Sequence, residues 1–211
     1  SAVGSTGSIT VSGAPTNTGV IYLYIGGVKV TQKVVVGQDV DMIATNLATT
    51  INGTFNLPVT AAAESGKVTI TAINKGTCGN DIDLRLNYRG NLGDETTPEG
   101  LTLIIEQMSG GKVNPNLDVA LANLGDTEFD YIACPYTDSD SLDALKAFLN
   151  DQTGRWSWTQ QLYGHYFSVR KGTLGELTTF GTSRNDQHGS VMGVNNSPTP
   201  SYIWASALTA T

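Results

Sequence analysis

The feature that most constrains the fold of this chain is a change of pattern near residue 113. Up to Val113 the sequence is rich in Thr, Val, Ile and Gly, and short apolar runs alternate with turn residues, as is typical of β-strands. From Asn114 onward, segments with helical spacing alternate with short apolar strands, which favours a parallel sheet with helices on its faces. The sequence therefore predicts two domains, residues 1–113 and residues 114–211.

Two β-hairpins are predicted in the first domain. Gly26-Gly27 separates two apolar runs, and two glycines readily adopt the positive φ angles that tight hairpin turns require. Glu64-Ser65-Gly66 separates a second pair of runs. The predicted strands are residues 21–25 with 28–30, and residues 59–63 with 68–73.

One helix and two further strands complete the prediction for this domain. Residues 39–52 carry apolar side chains at helical spacing, and Gly53 is placed to end the helix. Apolar and charged residues alternate over 82–86, and residues 101–106 form another apolar run. The first domain is thus predicted to be α+β, with one helix covering a mainly antiparallel sheet.

The second domain is predicted to be α/β, with a parallel sheet. Only three strands are evident, whereas an average sheet has about five or six, so we expect that part of this domain lies outside the 211 residues. The strand at 129–134 is so apolar that we expect it to be buried. The other predicted elements are strands at 163–169 and 191–194, and helices at 116–124, from Thr137 or Asp138 to Leu149, from the Thr173–Glu176 capping box to about Gly181, and at 201–208.

The charge of the chain argues against a nucleic-acid partner. Nineteen acidic and twelve basic residues give a formal net charge of −7, and such a field repels polyanions. No run approaches the roughly 20 apolar residues of a membrane-spanning helix, and residues 1–5 have no features of a secretion signal. We therefore expect neither membrane insertion nor secretion.

Several separate sequence blocks, in one order, carry a resemblance to a known family. They are residues 78–88, 161–165, 170–177, 179–185 and 188–193, followed by Ser197-Pro198-Thr199-Pro200 with Trp204 behind it. Together they resemble the tail sheath protein of Mu-like phages. The resemblance runs through both predicted domains.

This resemblance implies a fold and a mechanical function. Residues 1–113 would be a mainly β domain inserted into an α/β core, and residues 114–211 would be an incomplete part of that core. Sheath subunits of this family stack as six-membered rings around a tail tube and contract when the baseplate triggers them. The implied partners are other sheath subunits, the tail tube and the baseplate, within a virion assembled in the bacterial cytoplasm. The family's linking segments are not recognisable, so we expect the chain alone to be monomeric or weakly associated.

A serine hydrolase is an alternative that the residue types allow. The candidate residues are His165 and His188 as bases, Ser168, Ser183 or Ser190 as nucleophiles, and Asp130 or Asp186 as orienting acids. No Gly-x-Ser-x-Gly elbow marks a nucleophile, and all of these residue types are common. We therefore expect no catalytic residue and no enzymatic activity.

No cofactor or metal is predicted either. Asp138, Asp140 and Asp143 are spaced like calcium ligands, but they lie at the start of a helix, where acidic side chains are favoured without a metal. The Gly110-Gly111 pair lacks the phosphate-loop pattern and is interpreted as the passage between the domains. Cys78 and Cys134 are interpreted as free thiols, although a disulfide between them is an alternative.

A segment around two tryptophans is the candidate for a subunit interface. Trp156 and Trp158 follow Arg155, and Trp and Arg are frequent anchors of protein interfaces. The same residues could instead fill the core beneath a loop. A different function also stays open, because the β-rich first domain could be a carbohydrate- or receptor-binding module on the virion surface.

Overall fold

The computed structural model describes residues 2–211, which combine α-helices with antiparallel and parallel sheets, as predicted. The chain divides into two compact units, Ser1–Val113 and Asn114–Thr211, called here the first and second units. None of the helices among residues 2–211 is long and apolar enough to cross a membrane.

The described part of the first unit has two antiparallel sheets and one α-helix. One sheet has the strand order β4-β5-β1-β7 and the other has the order β3-β2-β6. Short 3-10 turns lie at Thr77–Asp81 and Gly90–Gly93. The elements are β1 Gly4–Gly13, β2 Gly19–Ile25, β3 Val28–Val34, α1 Val40–Gly53, β4 Val59–Glu64, β5 Lys67–Lys75, β6 Leu84–Leu86 and β7 Leu101–Ser109.

Both predicted hairpins are confirmed. Strands β2 and β3 pair antiparallel across Gly26 and Gly27, whose φ angles are 57° and 85°. Strands β4 and β5 pair across Ser65 and Gly66, with φ angles of 47° and 71°. Two consecutive residues with positive φ form the tight turn whose twist matches that of the flanking strands.

Helix α1 is also confirmed, and it organises the core of the first unit. Its buried side chains Ile43, Leu47 and Ile51 pack among apolar residues of both sheets. The predicted strand at 82–86 is shorter than expected, because β6 spans only Leu84–Leu86. Ile82 lies before β6 but is still buried in the same core.

Strand β1 is the element of this unit that the sequence did not predict. It lies between β5 and β7, and its core-facing residues Ser5, Gly7, Ile9 and Val11 are buried. A Cβ at Gly7 would come within 2.9 Å of the Met108 sulfur, so the close packing here requires a small residue. A strand whose buried face begins with Ser and Gly lacks the apolar alternation that identifies strands.

A buried carboxylate ties the β2–β3 hairpin to the segment before β7. Glu95 is 2% exposed and forms an ion pair with Lys29 at 2.7 Å. It also accepts hydrogen bonds from the Tyr24 hydroxyl at 2.6 Å and from the Arg89 amide at 2.9 Å. Burial alone raises the pKa of Glu95, but the bonds from Lys29, Tyr24 and the Arg89 amide outweigh it and lower the pKa to about 2.

Glu95→Gln is expected to lower the melting temperature of the first unit by several degrees at neutral pH, because it removes the charge that pairs with Lys29. The folded pKa lies below the ordinary value of 4.5, so stability from Glu95 is lost as the pH falls from about 4.5 toward 2. Thermal melts followed by circular dichroism across this range should show a smaller acid-induced decrease for Glu95→Gln than for the parent. Glu64→Gln, at an exposed site, is the control, and equal behaviour of the two variants would contradict this role.

The described part of the second unit contains a three-stranded parallel sheet with the order β10-β9-β8, in agreement with the predicted α/β class. On one face, Tyr166 packs with Leu142, Leu145 and Leu149 in an apolar cluster. The elements are α2 Asp118–Ala122, β8 Tyr131–Ala133, α3 Ser139–Leu149, β9 His165–Lys171, α4 Leu174–Ser183, β10 Gly189–Val194 and α5 Ser201–Ala210.

Two predicted helix starts are confirmed. Asp138 caps α3 by accepting a hydrogen bond from the Ser141 amide at 3.1 Å. At α4, Thr173 and Glu176 form the reciprocal capping box. Both caps satisfy amides that a helix leaves without partners at its first turn.

The expected burial of residues 129–134 is wrong for most of that segment. Strand β8 is only three residues long, and its Tyr131 side chain is 63% exposed, although Cys134 just after it is buried. The reason is the position of β8 at the edge of the sheet, since no strand of residues 2–211 pairs with its other side.

Candidate interaction surface

Residues 150–164 connect α3 to β9 and contain the predicted interface; they are called here the tryptophan loop. Asn150 fixes the first turn of the loop. Its side-chain Oδ1 accepts hydrogen bonds from the amides of Gln152, Thr153 and Gly154 at 2.8–3.1 Å. A Cβ at Gly154 would lie 2.6 Å from the Asn150 nitrogen, so this tight turn requires glycine.

Arg155 anchors the loop to its own unit. The residue is 2% exposed, and its guanidinium donates hydrogen bonds to the carbonyls of Gly125 at 2.7 Å and Thr127 at 2.5 Å. The guanidinium carbon also lies 4.4 Å from the ring centre of Phe129 and 5.2 Å from that of Phe148. These contacts give Arg155 an intramolecular role, because they bury its charge between two rings and two carbonyls.

Trp156 is half-buried and holds the other end of the loop. Its indole N–H donates to the Gly164 carbonyl at 2.8 Å, and its ring stacks on His188 with the ring centres 4.4 Å apart. His188 Nε2 in turn lies 2.7 Å from an oxygen of Asp151. The ring of Tyr163 meets Trp156 edge-on at 4.7 Å. Both ends of the loop are therefore fixed by packing and hydrogen bonds.

Trp158 differs from Arg155 and Trp156 because its side chain is 83% exposed. The adjacent Ser157 is buried, and its amide donates to the Gly154 carbonyl at 3.0 Å. An exposed indole on a fixed backbone loses little conformational entropy when it enters a pocket of a partner. Of the three predicted interface residues, Trp158 is the one available for such a contact.

The residues considered for a hydrolase are only partly brought together. His165 Nε2 lies 2.9 Å from the Ser190 hydroxyl, and burial, followed by the charge of His188, lowers the pKa of His165. Asp186 is engaged elsewhere, since it accepts hydrogen bonds from the Tyr166 hydroxyl at 2.8 Å and from the His188 amide at 3.1 Å. Histidine, serine and Asp186 therefore do not form the linear relay of a catalytic triad.

The other candidate groups have structural contacts. Ser168 is buried and donates to the Tyr136 carbonyl at 3.4 Å, whereas Ser183 donates to the Phe180 carbonyl at 2.7 Å. Asp143 forms an ion pair with Arg184 at 3.0 Å. Ser168 thereby joins β9 to the segment after β8, Ser183 bonds within the last turn of α4, and Asp143 joins α3 to the residue after α4.

Cys78 and Cys134 belong to different units, and neither forms a disulfide. Cys134 is buried, and this burial raises the pKa of its thiol. A thiol in such surroundings acts as a small apolar side chain of the core.

The chain is similar to known phage proteins. Residues 110–211 match the family model of the phage tail sheath protein central domain. Over 206 of its 211 residues, the chain is also 38% identical to the Mu-like prophage FluMu tail sheath protein of Haemophilus influenzae. The resemblance predicted from the sequence blocks is thereby confirmed.

The alignment with this relative covers 98% of the present chain and 41% of the relative. The chain thus spans less than half the length of that sheath protein. A solved structure from Mycobacterium phage Patience aligns with 51% of this chain and 38% of its own, at 16% identity and a TM-score of 0.28. This structural likeness is too weak to define the fold.

Arg155→Lys is expected to lower the stability of the second unit, whereas Trp158→Ala is expected to leave it unchanged. Arg155→Lys should destabilise the second unit by about 2–4 kcal/mol, because one ammonium cannot replace a planar guanidinium that reaches two carbonyls and two rings. Trp158→Ala should change the free energy of unfolding by less than about 0.5 kcal/mol, since its side chain is exposed. Urea unfolding followed by fluorescence measures both values. Equal destabilisation by the two variants would show that Trp158 is packed in solution.

Proposed function

We propose that this chain is part of a structural subunit of a contractile phage tail sheath, and that it has no catalytic activity. The single observation that carries the proposal is 38% identity to a tail sheath protein over nearly the entire chain. The family match over residues 110–211, nearly all of them in the second unit, supports the same conclusion. The subunit would belong to the virion and be assembled in the bacterial cytoplasm.

The proposed mechanism is mechanical. Subunits form six-membered rings around a tail tube, and the rings pass from an extended to a contracted arrangement when the baseplate releases them. Repeated identical interfaces make such a transition possible, because a small difference in interface free energy is multiplied by the number of subunits. This function would need no cofactor.

The tryptophan loop supplies a contact between subunits in this proposal. Arg155 and Trp156 hold the loop to its own unit, and the exposed Trp158 presents a large apolar ring to a neighbour. Tryptophans in this setting often dominate the affinity of an interface. Arg155 contributes by positioning the loop, rather than by touching the neighbour.

The first unit is proposed to be a domain inserted into the sheath core. Its two ends lie side by side, since Val3 and Lys112 exchange backbone hydrogen bonds of 3.0 and 3.2 Å. Asn80 reinforces this junction by accepting hydrogen bonds from the Ser5 hydroxyl at 2.7 Å and the Gly111 amide at 2.9 Å. Adjacent ends allow a domain to be inserted in a loop without separating the two parts of its host.

Trp158→Ala in the full-length subunit is expected to raise the protein concentration needed for assembly by at least about tenfold, the effect of losing a contact worth about 1.4 kcal/mol. Sedimentation of polymer at a series of concentrations measures this threshold. Phe55→Ala is a matched control, because Phe55 is an equally exposed aromatic residue of the first unit. An unchanged threshold for Trp158→Ala would contradict the proposed contact, and a full-length parent that never assembles would contradict the proposed function.

A further inference from the structure

A cavity lies between helix α4 and the β9–β10 side of the parallel sheet. No residue of α4 is buried, so the helix covers the sheet loosely. The cavity measures about 200 Å³ and is partly open to solvent, and Leu177, Phe180 and Val191 give it apolar walls. A cavity of about 150 Å³ is already large enough to hold a benzene ring. The space beneath α4 can therefore accept an aromatic side chain.

The chain's own side chains leave this cavity unfilled, because β10 is poor in side chains on the face beneath α4. Gly189, Val191 and Gly193 alternate along β10 and so share the face that lines the cavity. Gly189 lies opposite Tyr166 in the register. A Cβ at Gly189 would lie 2.1 Å from the Tyr166 ring, so a larger residue is excluded there. Val191 is thus the side chain of β10 that lines the cavity.

Two charged residues make part of the cavity wall polar. Arg184 contributes a guanidinium, which is paired with Asp143 at 3.0 Å. Asp186 accepts one hydrogen bond at each carboxylate oxygen, from the Tyr166 hydroxyl at 2.8 Å and from the His188 amide at 3.1 Å. Each oxygen can accept a second bond, so Asp186 retains capacity for a further donor. The cavity thus offers a cation, an acceptor and apolar walls to the same ligand.

An indole ring suits this combination of groups. Tryptophan is the side chain whose ring attracts a cation most strongly, and its N–H is a donor without acceptor capacity. Trp156 already donates its N–H within the chain, to the Gly164 carbonyl at 2.8 Å. Trp204 does the same, to the Ser197 hydroxyl at 2.9 Å. Trp158 is 83% exposed on a loop that is fixed at both ends, so its indole is available to enter the cavity of another molecule.

We propose that Trp158 of one sheath subunit inserts into the cavity beneath α4 of a second copy. The inference rests on the proposed function and names the site that receives the tryptophan loop. The ring packs against the apolar walls, its face meets the Arg184 guanidinium, and its N–H donates to Asp186. The exposed tryptophan and the cavity are different surfaces of the same unit, so each copy gives one contact and receives another. Such a head-to-tail contact adds copies into a ring or a helical array.

Photo-cross-linking in the full-length subunit tests the proposal directly. Trp158→p-benzoylphenylalanine places a photoreactive aromatic side chain at this position. An equal mixture of unlabelled and isotopically labelled protein is irradiated after assembly, and mass spectrometry identifies the cross-linked peptides. We expect mixed-isotope cross-links to peptides that contain residues 177–193. Phe55→p-benzoylphenylalanine, at an equally exposed aromatic position, is the control and should give no such cross-link.

Cross-links from position 158 to another part of the second copy, or only within one chain, would overturn the inference. The proposed function is scored separately, by assembly of the parent protein. A parent that assembles while position 158 reacts elsewhere overturns the inference alone. A parent that never assembles overturns the proposed function and the inference with it.

Filling the cavity supplies an independent test. Val191→Phe should occupy the space with a ring without lowering the melting temperature of the 211-residue chain. It should raise the protein concentration needed for full-length assembly by at least about tenfold, as Trp158→Ala does. The double variant should need no higher concentration than Trp158→Ala alone, because both changes remove the same contact. Met192→Phe, on the opposite face of β10, is the control and should assemble like the parent. An unchanged requirement for Val191→Phe, or additive effects in the double variant, would overturn the proposal.

Discussion

The need to cover both faces of a short parallel sheet is the constraint on which the second unit depends. Strands β8, β9 and β10 present apolar side chains on both sides, and α3 with Tyr166 satisfies that need on one face. Helix α5 packs on β9 and β8, and the side chain of Tyr131 at the edge of the sheet is exposed. The packing of α3 against Tyr166 also fixes the start of the tryptophan loop, which follows α3 directly.

Within the tryptophan loop, the buried Arg155 holds the loop to its own unit, and the exposed Trp158 is the residue proposed for recognition. Arg155 donates hydrogen bonds to the carbonyls of Gly125 and Thr127. These bonds fix the loop in which Trp158 is exposed. The first unit has a comparable buried charged residue, Glu95, which joins the β2–β3 hairpin to the segment before β7. Such rigidity matters for any contact that the loop makes, because a loose anchor would lose part of the free energy of the contact to conformational entropy.

The sequence predicted most elements whose signals are local. The glycine pair of the β2–β3 turn, the Thr173–Glu176 capping box and the apolar spacing of α1 each identify structure within a few residues. The prediction from sequence failed where contacts with other elements determine which residues are buried. The buried face of β1 uses Ser5 and Gly7 because neighbours approach closely, and the apolar run at β8 could not reveal that it lies at a sheet edge. Likewise, Arg155 and Trp158 lie only three residues apart but have opposite exposure, which composition cannot distinguish.

In the proposed function, this polypeptide acts by packing against other polypeptide, within its own subunit and between copies, and catalyses no reaction. Electron microscopy of the purified full-length subunit, without tail tube or baseplate, tests this claim most directly. The account predicts rings or tubes with a regular axial repeat as the concentration rises. A subunit that remains a compact monomer at millimolar concentration would contradict it.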